Sequence, residues 1–294
     1  RYIIKKRLLN DINFDLEEKF INTIRQLLHE KENTNIYLLS QLLNIPNFSE
    51  LESDSENIDP LELYRVINDL NLKFGTELEI HLFKKLKVIE KNINKKWPNG
   101  KDERKLAEII WNLLLYTNDI NLRRNLIDYI DNKNMTLSKS VLNVLLKFNC
   151  IERVLAFEKY FNKWNKNSIV LDSWFYFSAS MEVNNSIENI ENLFKHKYFD
   201  PKSPNTLRSI LNGFVYNNPS FHDKEGKGYR YIAKKVIEFD KKNPIIISRF
   251  IKIFSRWDQY VDPYKKNMLE AIKYIDSHEL SINSREVINL ILKK

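Results

Sequence analysis

The feature that most constrains the fold is a helical spacing of apolar residues that continues along almost the whole chain. Leucine, isoleucine and valine recur at steps of three and four residues, which places them on one face of an α-helix. Clear examples lie at residues 106–114, 141–148 and 287–292. Runs that alternate apolar and polar residues, as half-buried strands do, are nearly absent. The pattern therefore predicts an all-α fold.

One segment could be mistaken for a strand. Residues 169–177 read IVLDSWFYF and are rich in branched and aromatic side chains. Their flanks follow the helical spacing, and no partner strand is evident in the sequence. We therefore predict a buried helix here.

Helix boundaries are marked by capping side chains and by prolines. A capping residue stands directly before a proline at four positions, namely Asp59, Ser203, Asn243 and Asp262. Further caps are predicted at Thr136, Ser168, Ser186 and Ser281. The segments between these breakers amount to roughly thirteen or fourteen helices.

Short links between many helices imply antiparallel neighbours stacked as αα-hairpins, which is a superhelical solenoid. No strict repeat period is visible, so tetratricopeptide and ankyrin arrays are excluded. The acidic stretch at residues 50–59 is expected to be an exposed, mobile loop. No long linker rich in Gly, Ser or Pro interrupts the chain, so residues 1–294 are predicted to form a single helical domain.

Composition narrows the class of protein further. A chain of 294 residues with 43% hydrophobic residues is long and apolar enough to bury a sizeable core. The single cysteine, Cys150, excludes a disulfide framework and a multi-thiolate zinc site, and it is compatible with a reduced compartment. We expect its side chain to pack as a small hydrophobic residue. No apolar run approaches the roughly 20 residues that span a bilayer, so we expect a soluble chain without a membrane span. Because the chain begins at Arg1 and not at methionine, it is expected to be a fragment of a longer protein.

The net charge of +8 suggests a nucleic-acid partner. However, Lys and Arg alternate with Asp and Glu throughout, and the basic residues form only short doublets. Solvated helix faces explain these charges better, so no nucleic-acid partner is predicted.

No catalytic motif or metal-ligand motif is found. The five histidines lie far apart in the sequence. Only residues 29–33, which read HEKEN, partly match the His-Glu-x-x-His helix of zinc proteases. Such a helix needs a second histidine four residues after the first, where Asn33 stands here. We read His29 as part of a polar helix end, and we predict no catalytic residue and no metal ligand in this chain.

The last third of the chain contains five short segments in a recognisable order. These read NTLRSI at 205–210, NPSFH at 218–222, GKGY at 226–229, DKKNP at 240–244 and SRF at 248–250. This order resembles the C-terminal helical domain of the zinc aminopeptidase N family, in its bacterial and protozoan alanyl branch. Earlier segments agree, notably NMT at 134–136 and VLDSWF at 170–175. The family pattern is departed from at two places, because Glu225 replaces an aspartate and residues 245–247 are more apolar.

The resemblance implies an armadillo-like superhelix that closes over a separate, thermolysin-like catalytic portion. That portion would hold the zinc cofactor, so this chain would bind none itself and would be non-catalytic alone. The whole enzyme would release N-terminal residues from short peptides. At the positions that match Arg208 and Arg249, the family has two arginines that approach the part of the substrate beyond the cleaved bond.

The residues themselves leave two readings of these arginines. Both lie in apolar runs, and a guanidinium offers a fork of donors to a peptide carboxylate or carbonyl. Unpaired burial would be costly, so each needs an anion or a water-filled cavity. The alternative is that each pairs with a structural carboxylate or a helix C-terminus. For His222 we predict a hydrogen bond that holds the glycine turn, and for Tyr229 and Trp174 a place in the core.

A second hypothesis comes from a different class of protein. The chain could be a stand-alone α-solenoid scaffold that binds proteins or RNA on its concave surface.

Overall fold

The computed structural model describes residues 1–12, 14–29, 35–53, 55–96, 98–132 and 134–293. Over these ranges the chain forms seventeen α-helices and three short 3-10 helices, and its only β-type pairing is an isolated bridge. The predicted all-α class is confirmed. No helix within these ranges is long and apolar enough to cross a membrane.

The helices follow one another with short connections. In chain order they are α1 Tyr2–Leu8, α2 Phe14–His29, α3 Ile36–Leu43, α4 Phe48–Glu52, α5 Pro60–Ile93, α6 Lys101–Leu115, α7 Ile120–Asp128, α8 Met135–Leu145, α9 Ile151–Trp164, α10 Ser168–Ser180, α11 Ser186–Phe194, α12 Pro204–Tyr216, α13 Asn218–Phe221, α14 Lys227–Asp240, α15 Pro244–Phe250, α16 Tyr264–Asp276 and α17 Ile282–Leu292.

The helix count exceeds the roughly thirteen or fourteen predicted, because several helices are shorter than two turns. Helices α1, α4, α13 and α15 have 7, 5, 4 and 7 residues. A segment of that length does not complete the i, i+3, i+4, i+7 pattern, so it is not recognisable as a separate helix between two breakers.

Three of the predicted caps are wrong by one or two residues. The side chains of Asn134, Asn167 and Asn185 accept the free backbone N–H groups of α8, α10 and α11. Thr136, Ser168 and Ser186 therefore lie inside these helices. An asparagine just upstream presents its carbonyl oxygen to the same backbone donors and takes the capping place.

Two other predicted caps are confirmed. Ser203 accepts the backbone N–H of Thr206 at the start of α12, and Ser281 accepts that of Ser284 at the start of α17. Pro60 begins α5 as predicted, whereas the helix after Pro263 begins one residue later.

The chain divides into two compact units. The first comprises Arg1–Ser53 and Glu62–Lys163. Within it, α5 and α6 form an antiparallel αα-hairpin, because Asn68 and Asn71 near the start of α5 meet Tyr116 and Asn112 at the end of α6. Helix α8 then packs on α6, the helix two before it in the chain. This is how successive helix pairs stack in a solenoid.

The turn between α5 and α6 is held by a buried arginine. The Nη1 atom of Arg104 donates to the carbonyl oxygens of Ile93 and Lys95 at 3.0 and 2.9 Å. Gly100, at φ 71°, is the N-cap residue of α6 and supplies the left-handed backbone that the turn requires.

The second unit comprises Asp54–Leu61 and Trp164–Lys294. Its helices also stack next-but-one, with α10 on α12, α14 on α16 and α15 on α17. Residues 55–61 join this unit because Ile58 is buried and forms a parallel bridge with Tyr260.

Residues 50–59 do not form the exposed loop that was expected throughout, because two of the described residues are buried and the stretch begins in a helix. The stretch begins inside α4, where Asn47 and Glu50 form a capping box. Leu51 and Ile58 are both buried, and the backbone of Ile58 pairs with Gln259 and Val261. Apolar residues at these two points outweigh the acidic composition; Asp54 lies outside the described residues.

The strand-like segment at 169–177 is helical, as predicted, but only one face of it is buried. Val170, Leu171 and Phe175 of α10 lie in the core. Ile169 is 78% exposed, so this helix has an outer face that carries apolar residues.

Candidate functional site

The two predicted site residues lie on α12 and α15, two helices of the second unit that pack against each other. Helix α12 begins with Ser203 as cap and Pro204 at its first position. One turn later, the hydroxyl of Thr206 donates to Oδ1 of Asp172 on α10 at 2.6 Å. This bond fixes the start of α12 on α10.

Further along, α10 and α12 approach at a glycine. A Cβ atom added at Gly213 would lie 2.4 Å from the carbonyl oxygen of Tyr176 and 2.7 Å from Cβ of Ala179. Only a residue without a side chain fits there, so the register of the two helices is closely defined.

Helix α15 is connected to the turn just before α12 through its own N-cap residue. The side-chain amide of Asn243 donates to the carbonyl oxygen of Pro201 at 3.1 Å. The inner face of α15 buries Ile247 and Phe250, which leaves Arg249 on the outer face.

Both arginines are exposed. The Nη2 atom of Arg208 donates to Oδ1 of Asn205, one turn back, at 3.1 Å. Among the described residues, Arg249 has no hydrogen-bond or ion-pair partner. Neither arginine pairs with a carboxylate of the described residues, although Arg249 does lie in the last turn of α15, where a cation is favourable. Because both are exposed, no burial penalty has to be offset, and their guanidinium groups are open to an incoming ligand.

The surroundings of these arginines are poor in charge. Helices α10, α12 and α15 carry one charged residue each, namely Asp172, Arg208 and Arg249. By contrast, α6 and α14 carry six charged residues each. We call α10, α12 and α15 the charge-poor layer. Since Asp172 accepts the hydroxyl of Thr206, the two arginines are the charges that this layer offers to a ligand.

Residues that the sequence did not point to share the outer face of α12 with Arg208. Asn205, Arg208, Asn212 and Tyr216 follow one another at steps of three and four and are all exposed. We call these four residues the α12 ridge. At its far end the ring of Tyr216 lies 6.0 Å from that of Tyr176 on α10. The spacing was visible in the sequence, but asparagine and tyrosine on a helix surface are too common to single out.

His222 is a structural residue, in line with the prediction. Its Nδ1 atom lies 2.7 Å from the hydroxyl oxygen of Tyr229, and its ring stacks on Tyr260. Burial lowers the pKa of His222 to about 3. Tyr229 is fully buried, as expected of a core residue, whereas Trp174 is half-buried.

The described residues contain no group of three or more His, Cys, Asp or Glu side chains that could hold a metal ion. The ring of His29, at the end of α2, contacts that of His81 with centroids 4.6 Å apart. The remainder of the protease-like segment, including Asn33, lies outside the described residues. Cys150 is a half-buried free thiol just before α9.

The first unit contains a separate cavity of about 740 Å³ between α5 and α7. Trp111 and Tyr129 line it together with Lys84 and Lys87 on one side and Asp128 on the other. Because both signs of charge line the cavity, its electrostatics select no class of ligand.

A family model described as "Domain of unknown function (DUF3458_C) ARM repeats" matches residues 1–293. Aminopeptidase N of Escherichia coli strain K12 is 25% identical over 248 residues, which cover 82% of this chain and 28% of the relative. Aminopeptidase N of Haemophilus influenzae is 25% identical over 269 residues, covering 90% and 30%. Aminopeptidase N of Caulobacter vibrioides is 29% identical over 169 residues, covering 57% and 20%.

A solved structure shares the fold. Legionella pneumophila aminopeptidase A, crystallised in complex with aspartic acid, superposes with a TM-score of 0.82 at 24% identity. The match covers 93% of this chain and 33% of that one. The chain thus spans less than a third of the length of the curated relatives it matches.

These comparisons confirm the resemblance to aminopeptidase N and the solenoid-like arrangement of the helices. The chain belongs to the DUF3458_C family of ARM-repeat domains.

Proposed function

We propose that this chain is the C-terminal lid and substrate-channel domain of an alanyl-type zinc aminopeptidase, with residues 1–294 acting as one domain. The observation that carries the proposal is the match to two aminopeptidase N proteins. The match covers 82% and 90% of this chain but less than a third of each relative. A domain with that relation to its relatives works beside a larger portion of the same enzyme.

In this proposal the zinc and the catalytic side chains belong to the thermolysin-like portion. When bound there, zinc supplies a Lewis acid and an activated water for hydrolysis of the N-terminal peptide bond. The present chain binds and orients the substrate and limits access to it. Short, unfolded peptides would enter the channel, and folded proteins would be kept out.

Arg208 and Arg249 are the proposed substrate-binding residues. Both guanidinium groups are exposed, and neither has a carboxylate partner among the residues described. Each is therefore available to a carbonyl or carboxylate group of the peptide beyond the cleaved bond.

Purification from the native source tests the assignment to a larger enzyme. Mass spectrometry should recover these 294 residues together with a His-Glu-x-x-His zinc sequence, on the same polypeptide or on a tightly bound one. The chain on its own should bind no stoichiometric zinc and should hydrolyse no alanyl-amide substrate. Turnover by the rigorously purified chain would contradict the proposal.

Kinetics of the larger enzyme test the role of the arginines. Arg208→Ala and Arg249→Ala should raise KM for peptides more than for a single-residue chromogenic amide, because the amide has no segment to reach them. Arg230→Ala, on the charge-rich α14, is a matched exposed control and should change neither. Equal effects on both kinds of substrate would show that the arginines are structural.

The competing function is a stand-alone scaffold for proteins or RNA. It predicts that the chain is recovered alone from its source. For RNA it also predicts an affinity that falls steeply with salt concentration.

A further inference from the structure

The charge-poor layer presents a continuous line of hydrogen-bonding groups on α12. Asn205, Arg208, Asn212 and Tyr216 all lie on the exposed side of the helix, while Leu207, Ile210, Leu211 and Phe214 are fully buried on the other. The exposed faces of α6 and α14, in comparison, mix lysines, arginines and carboxylates. A face that contains amides, a phenol and one guanidinium suits a ligand with a polar backbone and little charge of its own.

An extended peptide has this chemistry. Its amide groups match the amide side chains of asparagine, which both donate and accept, and its terminal carboxylate matches a guanidinium. Among the described residues, the side-chain amide of Asn212 has no hydrogen-bond partner. Tyr216 is 41% exposed and, with Tyr176 beside it, provides an aromatic surface at the end of the ridge.

The length of the ridge sets the length of peptide that it can accommodate. Arg208 and Tyr216 are eight residues apart on a helix, which is about 12 Å along its axis. An extended chain advances about 3.3–3.6 Å per residue. The ridge from Arg208 to Tyr216 is therefore as long as about three to four peptide residues.

The charges give the peptide a direction. Arg208 lies near the N-terminal end of α12, where the helix dipole adds to its positive charge, and Arg249 is on the helix packed alongside. Of these three helices, only α10 carries a carboxylate, Asp172, and it is engaged by Thr206. A terminal carboxylate is therefore favoured at the Arg208 end, and the preceding residues extend toward Tyr216.

Resting on the proposed function, we propose that the α12 ridge is an extended-peptide track that selects substrates by length and by a free C-terminal carboxylate. Asn212 and Tyr216 determine the specificity for peptide length, which the two arginines alone do not provide. The class of substrate is a peptide with uncharged side chains and a free C-terminal carboxylate, whose last three to four residues occupy the ridge.

The test uses the full-length enzyme that contains this chain. Alanyl peptides of two to eight residues are compared as free acids and as C-terminal amides, and alanine p-nitroanilide serves as a substrate too short to reach the ridge. For the wild type, KM should fall as the peptide lengthens and then level off once the ridge is filled. Free acids should have a KM roughly tenfold below that of the amides, the scale of one charge-assisted hydrogen bond.

Variants separate the contributions along the ridge. Asn212→Leu and Tyr216→Ala should raise KM for long peptides by about threefold to tenfold and flatten the length dependence, with alanine p-nitroanilide unaffected. Arg208→Gln should remove the preference for acids over amides. Arg230→Gln is the control for loss of an exposed arginine and should keep the wild-type profile.

The outcomes distinguish failure of this inference from failure of the proposed function. If the arginine variants act on peptides and the Asn212 and Tyr216 variants do not, the channel role stands and the ridge inference is overturned. If the Asn212 and Tyr216 variants slow every substrate equally, including the p-nitroanilide, these two residues are structural and the inference again fails. An enzyme without aminopeptidase activity would overturn the proposed function itself.

Discussion

His222 and Tyr229 form a buried hydrogen bond, with 2.7 Å between Nδ1 of the histidine and the hydroxyl oxygen of the tyrosine. The bond links the end of α13 to the first turn of α14 across the glycine turn at residues 226–228. Because His222 is fully enclosed, it is neutral in the folded protein, and its pKa of about 3 lies well below the 6.5 of an unfolded chain.

This depressed pKa predicts a loss of stability in mild acid. Between pH 6.5 and about 3 the unfolded chain binds a proton at His222 that the folded chain does not, so each step down in pH favours unfolding. From pH 7 to pH 5 the wild type should lose about 2 kcal/mol more of its unfolding free energy than His222→Gln does. Urea unfolding at the two pH values measures this difference.

His278→Gln is the matched control. This histidine lies near the surface, where its Nδ1 atom is 2.8 Å from the carbonyl oxygen of Tyr274. This variant measures what the loss of a histidine side chain near the surface alone does to stability. Parallel pH profiles for wild type and His222→Gln would show that His222 binds a proton as readily in the folded as in the unfolded state, which contradicts its burial as a neutral group.

The parts of the fold that could be predicted are those determined by local pattern. Helices α6 and α8 complete several turns with apolar residues in register, so their existence and type followed from spacing alone. Helices α4 and α13 are too short for that signal and are stabilised by a capping box and by tertiary contacts. The burial of Ile58 depends on a bridge to Tyr260, about two hundred positions along the chain, which no local pattern reports.

The candidate site was only partly predictable for a similar reason. Arg208 and Arg249 were found because their neighbouring motifs resemble a known family. Asn212 and Tyr216 could not be predicted as site residues, because their relevance depends on the packing of α12 against α10 and α15. The sequence of α12 alone does not determine that packing. The low charge of the layer is visible only when the three helices are considered together.

A buried ion cluster on α2 gives a second prediction. Glu17 is 1% exposed and accepts two hydrogen bonds of 2.6 Å from Arg7 and one of 2.8 Å from Lys73. Burial opposes its ionisation, but the hydrogen bonds from the two cations prevail and hold the pKa of Glu17 below its usual value. Glu17→Gln should lower the free energy of unfolding by about 3 kcal/mol, because it leaves two half-buried cations without their anion.

The same helix provides the control. Asp15 and Lys19 form an ion pair at 2.6 Å with both side chains more than two-thirds exposed, and Asp15→Asn should change stability far less than Glu17→Gln does, because solvent screens an exposed pair. Both variants are compared by urea unfolding at neutral pH. Equal destabilisation by the two substitutions would mean that burial of Glu17 carries no energetic consequence.

The close contact between α10 and α12 gives a third prediction. At Gly213 an added methyl group would lie 2.4 Å from the carbonyl oxygen of Tyr176, which is backbone and cannot rotate away. Gly213→Ala should therefore destabilise the protein by about 1–3 kcal/mol, although alanine is the better helix former. Ser209→Ala, one turn earlier on α12, introduces no clash and should be neutral or slightly stabilising. A stable Gly213→Ala variant would refute the close approach of these helices.

The buried carboxylate of Asp240 gives the last prediction, which concerns the beginning of α17. Asp240 is 1% exposed and lies at the end of α14. It accepts hydrogen bonds from the backbone N–H of Ser281 at 2.5 Å and from the hydroxyl of Ser281 at 2.8 Å. The hydroxyl of Ser284 donates to it as well. A carboxylate from a neighbouring helix therefore caps α17 and complements the positive end of its dipole.

Asp240→Asn preserves the shape of the side chain but removes its charge and replaces one acceptor oxygen with a donor. We expect a loss of about 2 kcal/mol in unfolding free energy and faster amide hydrogen exchange in the first turn of α17. The exposed pair between Lys241 and Glu279 lies next to this cap, so Glu279→Gln serves as the control and should leave both measurements close to wild type. Unchanged exchange in α17 for Asp240→Asn would show that Ser281 alone is a sufficient cap, and that the carboxylate is not what holds the start of this helix.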